Sequence, residues 1–147
     1  MIEIRPLREG DLDDVPPASE ETIRPDYVRR AVAALGDAVV WLLAFADGRP
    51  VGRLGIDFGR KSDQGIVHLW AFGIVPELQR RGIGTAMIRE AESLIASDPR
   101  GARLTEIGAD EGNDGAVRLY RRLGFEDAGD ERGSNGELIH LFRRRIH

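Results

Sequence analysis

Gln79-Arg80-Arg81-Gly82-Ile83-Gly84-Thr85 stands between an apolar run that reads as a strand and a long amphipathic pattern that reads as a helix. Lacking a Cβ, Gly82 and Gly84 let the backbone turn tightly and come close to a ligand. The helix that follows leaves its first N–H groups without intrahelical partners, aimed into the turn. A strand–turn–helix of this kind suits a phosphate or pyrophosphate. The neighbouring residues narrow the choice. A P-loop closes its glycines with Lys and Ser or Thr, and the only lysine here is Lys61, far from any such turn. A dinucleotide fingerprint needs a third glycine three positions after the second; that position is Met87, and no βαβ start precedes the turn.

A second stretch carries its own local logic. In Asn113-Asp114-Gly115-Ala116-Val117-Arg118-Leu119-Tyr120-Arg121-Arg122-Leu123-Gly124-Phe125, the residues Ala116, Leu119, Tyr120 and Leu123 recur at helical spacing and form one apolar face. Asn113 or Asp114 can cap its start. Gly124 ends the helix and Phe125 folds back on its last turn. The pattern Gln/Arg-x-x-Gly-x-Gly/Ala after Phe72-Gly73-Ile74-Val75-Pro76 resembles the acetyl-CoA-binding motif of the Gcn5-related N-acetyltransferases (GNAT). The second stretch resembles the Asn-x-x-Ala-x-x-x-Tyr-x-x-x-Gly-Phe segment of the same family, and the two occur in the family's order. The resemblance covers the last two-thirds of the chain, roughly, and the N-terminal third only in outline.

Bulk properties agree with one soluble domain over residues 1–147. Apolar residues make up 41% and charged residues 31%, as in an ordinary globular protein. No apolar run reaches the ~20 residues of a membrane span, and Met-Ile-Glu-Ile-Arg-Pro does not read as a signal peptide. The absence of cysteine excludes disulfides, thiolate metal sites and a cysteine nucleophile. A cytoplasmic location is expected, with no membrane partner and no metal. A net charge of −4 argues against general nucleic-acid binding, and Arg143-Arg144-Arg145 reads as a solvated strand end.

Along the chain, Ile2–Leu7 alternates like a strand. A short helical segment follows Gly10-Asp11, interrupted by Pro16-Pro17, and a second helix is expected from Pro25 to Leu35. Strands are expected at Val39–Ala46 and Val51–Phe58, joined through Asp47-Gly48, a hairpin signal. Another runs from Gly65 to Val75, then a helix from Gly82 to Ser97 with Ile83, Met87, Ala91, Leu94 and Ile95 on one face. Arg103–Ala109 and Glu137–Arg145 complete the strands. The sum is an α+β domain with a mixed, mostly antiparallel central sheet flanked by helices. The family resemblance implies a splay between the fourth and fifth strands, near 68–75 and 103–109, with the pantetheine arm of CoA lying in the gap like an extra strand.

The resemblance implies transfer of an acetyl group from acetyl-CoA to a primary amine, of a small molecule or of a peptide, by direct attack in a ternary complex. Backbone N–H groups of Arg80, Arg81, Gly82, Ile83, Gly84 and Thr85 would hold the pyrophosphate, with Arg80 and Arg81 adding charge at the rim. Backbone groups at Phe72 and Ile74 would pair with pantetheine. Tyr120 is the candidate general acid for a thiolate of pKa about 8.5; as a packing residue it would have its hydroxyl tied off. Asn113 either bonds the cofactor or only caps the helix. An amine of pKa about 10.4 is protonated at neutral pH and needs a base. His68 is the first choice, on one strand face with Trp70, Phe72 and Ile74, with Glu106 as the fallback and base duty through ordered water as a third option. The family's acceptor site is shaped by its N-terminal helices and last hairpin. Here these are acid-rich at Asp13, Asp14, Glu20, Glu21 and Asp26, then Asp127, Asp130, Glu131 and Glu137. Such a wall attracts a cationic amine, though acidic loops serve solubility as often. Trp41 and Trp70 floor an acceptor pocket or belong to the core. A non-catalytic acyl-CoA-binding module is the alternative, a cofactor-free interaction domain is a third, and monomer and homodimer both stay open.

Overall fold

The computed structural model describes residues 1–7, 38–133 and 135–146. The helices expected near Gly10–Pro17 and at Pro25–Leu35, with Asp13, Asp14, Glu20, Glu21 and Asp26, lie outside the described residues. One sheet of seven strands organises the rest, in the order β1-β2-β3-β4-β5-β7-β6. Its strands are β1 (Ile2–Pro6), β2 (Val39–Ala46), β3 (Arg49–Lys61), β4 (Ile66–Ile74), β5 (Leu104–Asp110), β6 (Glu126–Arg132) and β7 (Leu138–Arg145). Helix α1 (Ile83–Ala96) connects β4 to β5, and α2 (Asp114–Arg122) connects β5 to β6.

Asp47 and Gly48 both take positive φ, 51° and 81°, as a two-residue turn between twisted strands requires. β3 therefore starts at Arg49, earlier than expected. Pro50 is accommodated because the register slips there: Ala44 pairs with Gly52 while Phe45 pairs with Pro50. At its other end β3 runs on to Lys61, three residues past the expected end at Phe58; the register with β4 is irregular between Asp57 and Lys61, and Lys61 pairs with Ile66 at the closing end of the hairpin.

α1 buries Ile83, Met87, Ile88, Ala91 and Ile95 against the sheet, Ile88 joining the expected face and Leu94 lying at its margin. They pack on Leu42, Leu54, Ile56, Leu69 and Ile107, all fully buried. α2 is capped by Asn113, whose side-chain oxygen accepts the Ala116 N–H at 3.1 Å. It closes with the Phe125 N–H donating to the Tyr120 carbonyl. β6 was not expected as a strand. Glu-Asp-Ala-Gly-Asp-Glu-Arg has neither β-branched residues nor alternation; it is an exposed edge whose strand character comes from pairing with β7.

Among the described residues only the β4–β5 pair is parallel, and it is short. Ile66 to Leu69 pair with Leu104 to Ile107, whereas both strands continue, to Ile74 and Asp110. Beyond Leu69 that edge of β4 pairs with no strand among the described residues.

Candidate active site

The opening between β4 and β5 is a cleft of about 1160 Å³. Seen from β4, it begins at His68, passes Trp70, Phe72 and Ile74, and reaches the glycine turn at Arg80, Gly82, Gly84 and Thr85. Gly108, Ala109 and Asp110 of β5 form the other wall, with Asn113 and Tyr120 of α2. The cleft thus gathers most of the residues expected from sequence. Three fall outside its lining: Ile83, whose side chain is in the core, Arg81, and Glu106, which lies beyond His68. Arg118 and Arg122 join Arg80 in lining it. Their place is set by the cross-sheet position of α2, which no local motif signals.

At the turn, Gly82 sits at φ 83° and a Cβ there would meet nothing within 4 Å, so its position faces open space. A Cβ on Gly84 would come within 2.9 Å of the Phe72 ring, so this glycine lets α1 lie close to β4. The Gln79 side chain donates to the Ile74 carbonyl at 2.9 Å and ties the turn to the strand end. The first intrahelical bond runs from Ala86 to the Gly82 carbonyl, which leaves the N–H groups of Ile83, Gly84 and Thr85 ahead of the ladder. An anion in the turn would meet these donors and the positive end of α1.

β4 carries a bulge. Gly55 pairs with Trp70 and Arg53 with Gly73, so two steps along β3 match three along β4. Ala71 absorbs the extra residue at φ 54°, unusual for a residue with a Cβ. The expectation that His68, Trp70, Phe72 and Ile74 share one face is therefore corrected. Phe72 and Ile74 pack into the helix-side core, whereas Trp70 packs with Trp41 in a separate cluster, ring centroids 5.1 Å apart. Trp41 is buried; Trp70 is half-buried and reaches the cleft.

On the face of Trp70 lies a buried charge cluster. Glu106, with no exposed surface, accepts from Lys61 Nζ at 2.6 Å and from His68 Nδ1 at 2.7 Å through one oxygen, and from Arg143 Nε at 2.8 Å through the other. Burial alone would raise its carboxyl; the bonds from His68, Lys61 and Arg143 overcome this and hold it at about 2. A carboxylate so engaged is a poor proton acceptor near neutrality, which weighs against Glu106 as the base. It fixes the His68 tautomer instead. An ionised Glu106 only accepts, so Nδ1 carries the proton and Nε2 of the neutral ring is the basic nitrogen. Nitrogen and oxygen atoms of His68, Glu106 and Glu131 lie within 4.8 Å of one another, as metal ligands would. Lys61 Nζ stands among them, also 3.1 Å from Glu131, and supplies the positive charge.

Tyr120 is 2% exposed, its hydroxyl donating to the Gly108 carbonyl at 3.4 Å and its ring packed on Phe125 and Phe142. Burial, helped by the Asp110 charge, pushes its pKa well above the usual tyrosine range, so the phenol stays protonated. Two further expectations change. Arg143 reaches Glu106, and Arg144 bonds Glu92 and the Leu123 carbonyl, so most of the Arg143–Arg145 run is not a merely solvated end. The acidic residues of the last hairpin are partnered: Asp127 by Arg121, Asp130 by His140, Glu131 by Lys61 and Arg60, and Glu137 by the Asn135 N–H.

A sheet opened between parallel strands, with a glycine turn at one end of the opening, defines a class. The chain belongs to the acetyltransferase (GNAT) family, whose model matches residues 5–125. It is 33% identical over 84 residues to an uncharacterized N-acetyltransferase of Methanocaldococcus jannaschii, covering 55% of this chain and 36% of that one. It is 22% identical to the S-(2-succino)cysteine N-acetyltransferase of Bacillus subtilis, over 68% of this chain and 62% of that one. The chain therefore spans less than two-thirds of the length of these relatives. Among solved structures, it superposes on Arabidopsis thaliana NAA60 bound to a bisubstrate analogue with a TM-score of 0.73, at 23% identity and covering 100% and 99% of the two chains. An aminoglycoside 6'-N-acetyltransferase complexed with coenzyme A gives a TM-score of 0.72 at 15% identity, covering 99% and 97%. No described helix is long and apolar enough to cross a membrane.

Proposed function

We propose that residues 1–147 form one acetyl-CoA-dependent N-acetyltransferase domain acting on a primary amine. The observation that carries this reading is the continuous cleft from the Gly82 turn to the His68–Glu106 pair. The unpaired edge of β4 at Phe72 and Ile74 offers backbone groups to pantetheine. The turn offers N–H groups and Arg80 to the pyrophosphate. His68 Nε2 takes a proton from the acceptor ammonium, and Glu106 balances the imidazolium. The amine nitrogen then bonds to the thioester carbonyl carbon as the C–S bond breaks; the departing sulfur receives a proton from Tyr120, and the excess proton on the new amide nitrogen is lost to solvent, from which the Tyr120 phenolate is reprotonated. Burial keeps Tyr120 protonated until the thiolate develops, while its raised pKa makes it a weak acid that gives up its proton only as negative charge gathers on the sulfur. Amine acceptors are shared by the named relatives. A cytoplasmic setting, where acetyl-CoA is available, is part of this reading.

A non-catalytic acyl-CoA-binding role has one observation in its favour, the bond that ties the Tyr120 hydroxyl to Gly108. Calorimetric titration with acetyl-CoA, followed by thiol release across a panel of polyamines, aminoglycosides and N-terminal peptides, separates the two. Enzyme activity predicts binding, turnover with some amine, and a Tyr120→Phe variant about 100-fold slower in kcat with its acetyl-CoA affinity kept. Binding with no turnover supports the second reading. Failure to bind acetyl-CoA sinks both.

A further inference from the structure

Lys61, the only lysine of the chain, takes no part in the steps above, yet its ammonium is held inside the protein 2.6 Å from the carboxylate that orients His68. It stands at the end of β3, paired with Ile66 of β4 after the irregular stretch that follows Asp57, and its side chain reaches Glu106 on β5 and Glu131 on β6. The decisive detail is a shared atom. Lys61 Nζ and His68 Nδ1 both bond Oε1 of Glu106, while Arg143 takes Oε2. Part of the negative charge that would otherwise stabilise the His68 imidazolium is thus spent on Lys61.

Resting on the reading of His68 as the base, we propose that Lys61 is a positioning residue which, through Glu106, sets how readily His68 gains and gives up its proton. With Lys61, Arg143 and, on the other oxygen of Glu131, Arg60 against Glu106 and Glu131, the cluster carries one net positive charge when His68 is neutral. An imidazolium would add one further positive charge. Among the described residues, the other charge facing His68 is Asp57, its register partner on β3, whose carboxylate is engaged by the N–H groups of Gly59 and Arg60. Removing Lys61 takes a cation from the carboxylate that His68 bonds, leaving Arg143 on Glu106 and Arg60 on Glu131, which favours the imidazolium. Neutralising Glu106 leaves two cations facing it, which disfavours the imidazolium. The two changes act in opposite directions, whereas a purely structural cluster would lose stability either way and leave the His68 titration in place.

The test is an NMR pH titration of the histidine Cε1–H signals, with His68 assigned by its loss in His68→Gln. Relative to the wild type, Lys61→Met should raise the His68 midpoint by about one pH unit or more, and Glu106→Gln should lower it by a similar amount. Lys61→Arg, which keeps the charge, should restore the wild-type midpoint. If Lys61→Met proves too unstable, Glu131→Gln carries the test, since that side chain is 25% exposed; giving Lys61 wholly to Glu106, it should lower the midpoint. Unmoved midpoints, or equal shifts in Lys61→Met and Lys61→Arg, overturn the proposal. The kcat/KM profile with whichever amine turns over separates this failure from that of the base assignment. If His68→Gln retains full turnover while the midpoints shift as stated, His68 is not the base but the coupling stands. If His68→Gln is inactive and the midpoints do not move, the base stands and Lys61 is only structural.

Discussion

From Ile66 to Leu69, β4 has a strand on each side; from Trp70 to Ile74 it has β3 on one side and the cleft on the other. The two halves contribute in different ways. In the closed half, side chains are buried on both faces, and the charged ones there, His68 and the Glu106 opposite it, are compensated by a ring of partners. In the open half, the side chains of Phe72 and Ile74 go to the core and the backbone edge is what remains available. The bulge at Ala71 marks the border and turns the side chains over. In the mechanism proposed above, proton chemistry falls in the half where the ladder is complete, and backbone recognition in the half where it is not.

The largest way to break this comparison is at the closed half. Glu106→Ala leaves Lys61 and Arg143 without their shared counter-ion and is expected to cost about 3–5 kcal/mol in denaturant unfolding. Glu131→Ala, whose side chain is a quarter exposed, should cost about 1 kcal/mol or less. Equal losses would mean that the cluster is not the buried anchor described. Acid provides a second route. Glu106 is held at about 2 against an ordinary 4.5, so its contribution is fully present above pH 4.5 and disappears as pH falls through 2. A loss on the order of 3 kcal/mol over that window is expected, and Glu106→Gln should flatten it; an unchanged acid limb in that variant would place the effect elsewhere.

At the open half, Gly82→Glu should weaken acetyl-CoA binding by about 100-fold or more, from left-handed strain and repulsion of the pyrophosphate. Because a Cβ at Gly82 meets nothing, most of the effect should fall on affinity and little on packing. Calorimetry that finds undiminished binding would move the pyrophosphate away from the turn. The smallest effect sharpens the border itself. Ala71→Gly relieves the positive φ at the cost of a more flexible unfolded chain, for a net gain of about 0.5 kcal/mol and a rise in Tm of about 1–2 °C. A lower Tm would mean that the alanine side chain, packed with Trp41, matters more than the strain.

Much of the fold was legible because its signals are local. Asp47-Gly48 demands a tight hairpin, Ile83, Met87, Ala91 and Ile95 repeat at helical spacing, and Asn113 caps while Gly124 and Phe125 close α2. The exposed strand β6 was missed because Glu126–Arg132 carries no periodic signal and exists as a strand only by pairing with β7. Within the site, the cleft collects His68, Phe72, Ile74, Gly82, Gly84, Asn113 and Tyr120 as the motifs suggest. Glu106 changed from fallback base to partner of His68, because the charges on it come from Lys61 on β3 and Arg143 on β7, far away in sequence.

By itself the sequence determined what chain-local forces can determine: the glycine turn with its open helix start, the capped α2 with Tyr120 on its apolar face, and the family these motifs belong to. Only the tertiary structure decided how far β4 pairs with β5, where a bulge reverses the facing of Trp70 and Phe72, and which three cations and hydrogen-bond donors meet on one buried carboxylate. Those depend on register between strands and on compensation of charge away from water, and neither quantity exists until distant segments are brought together.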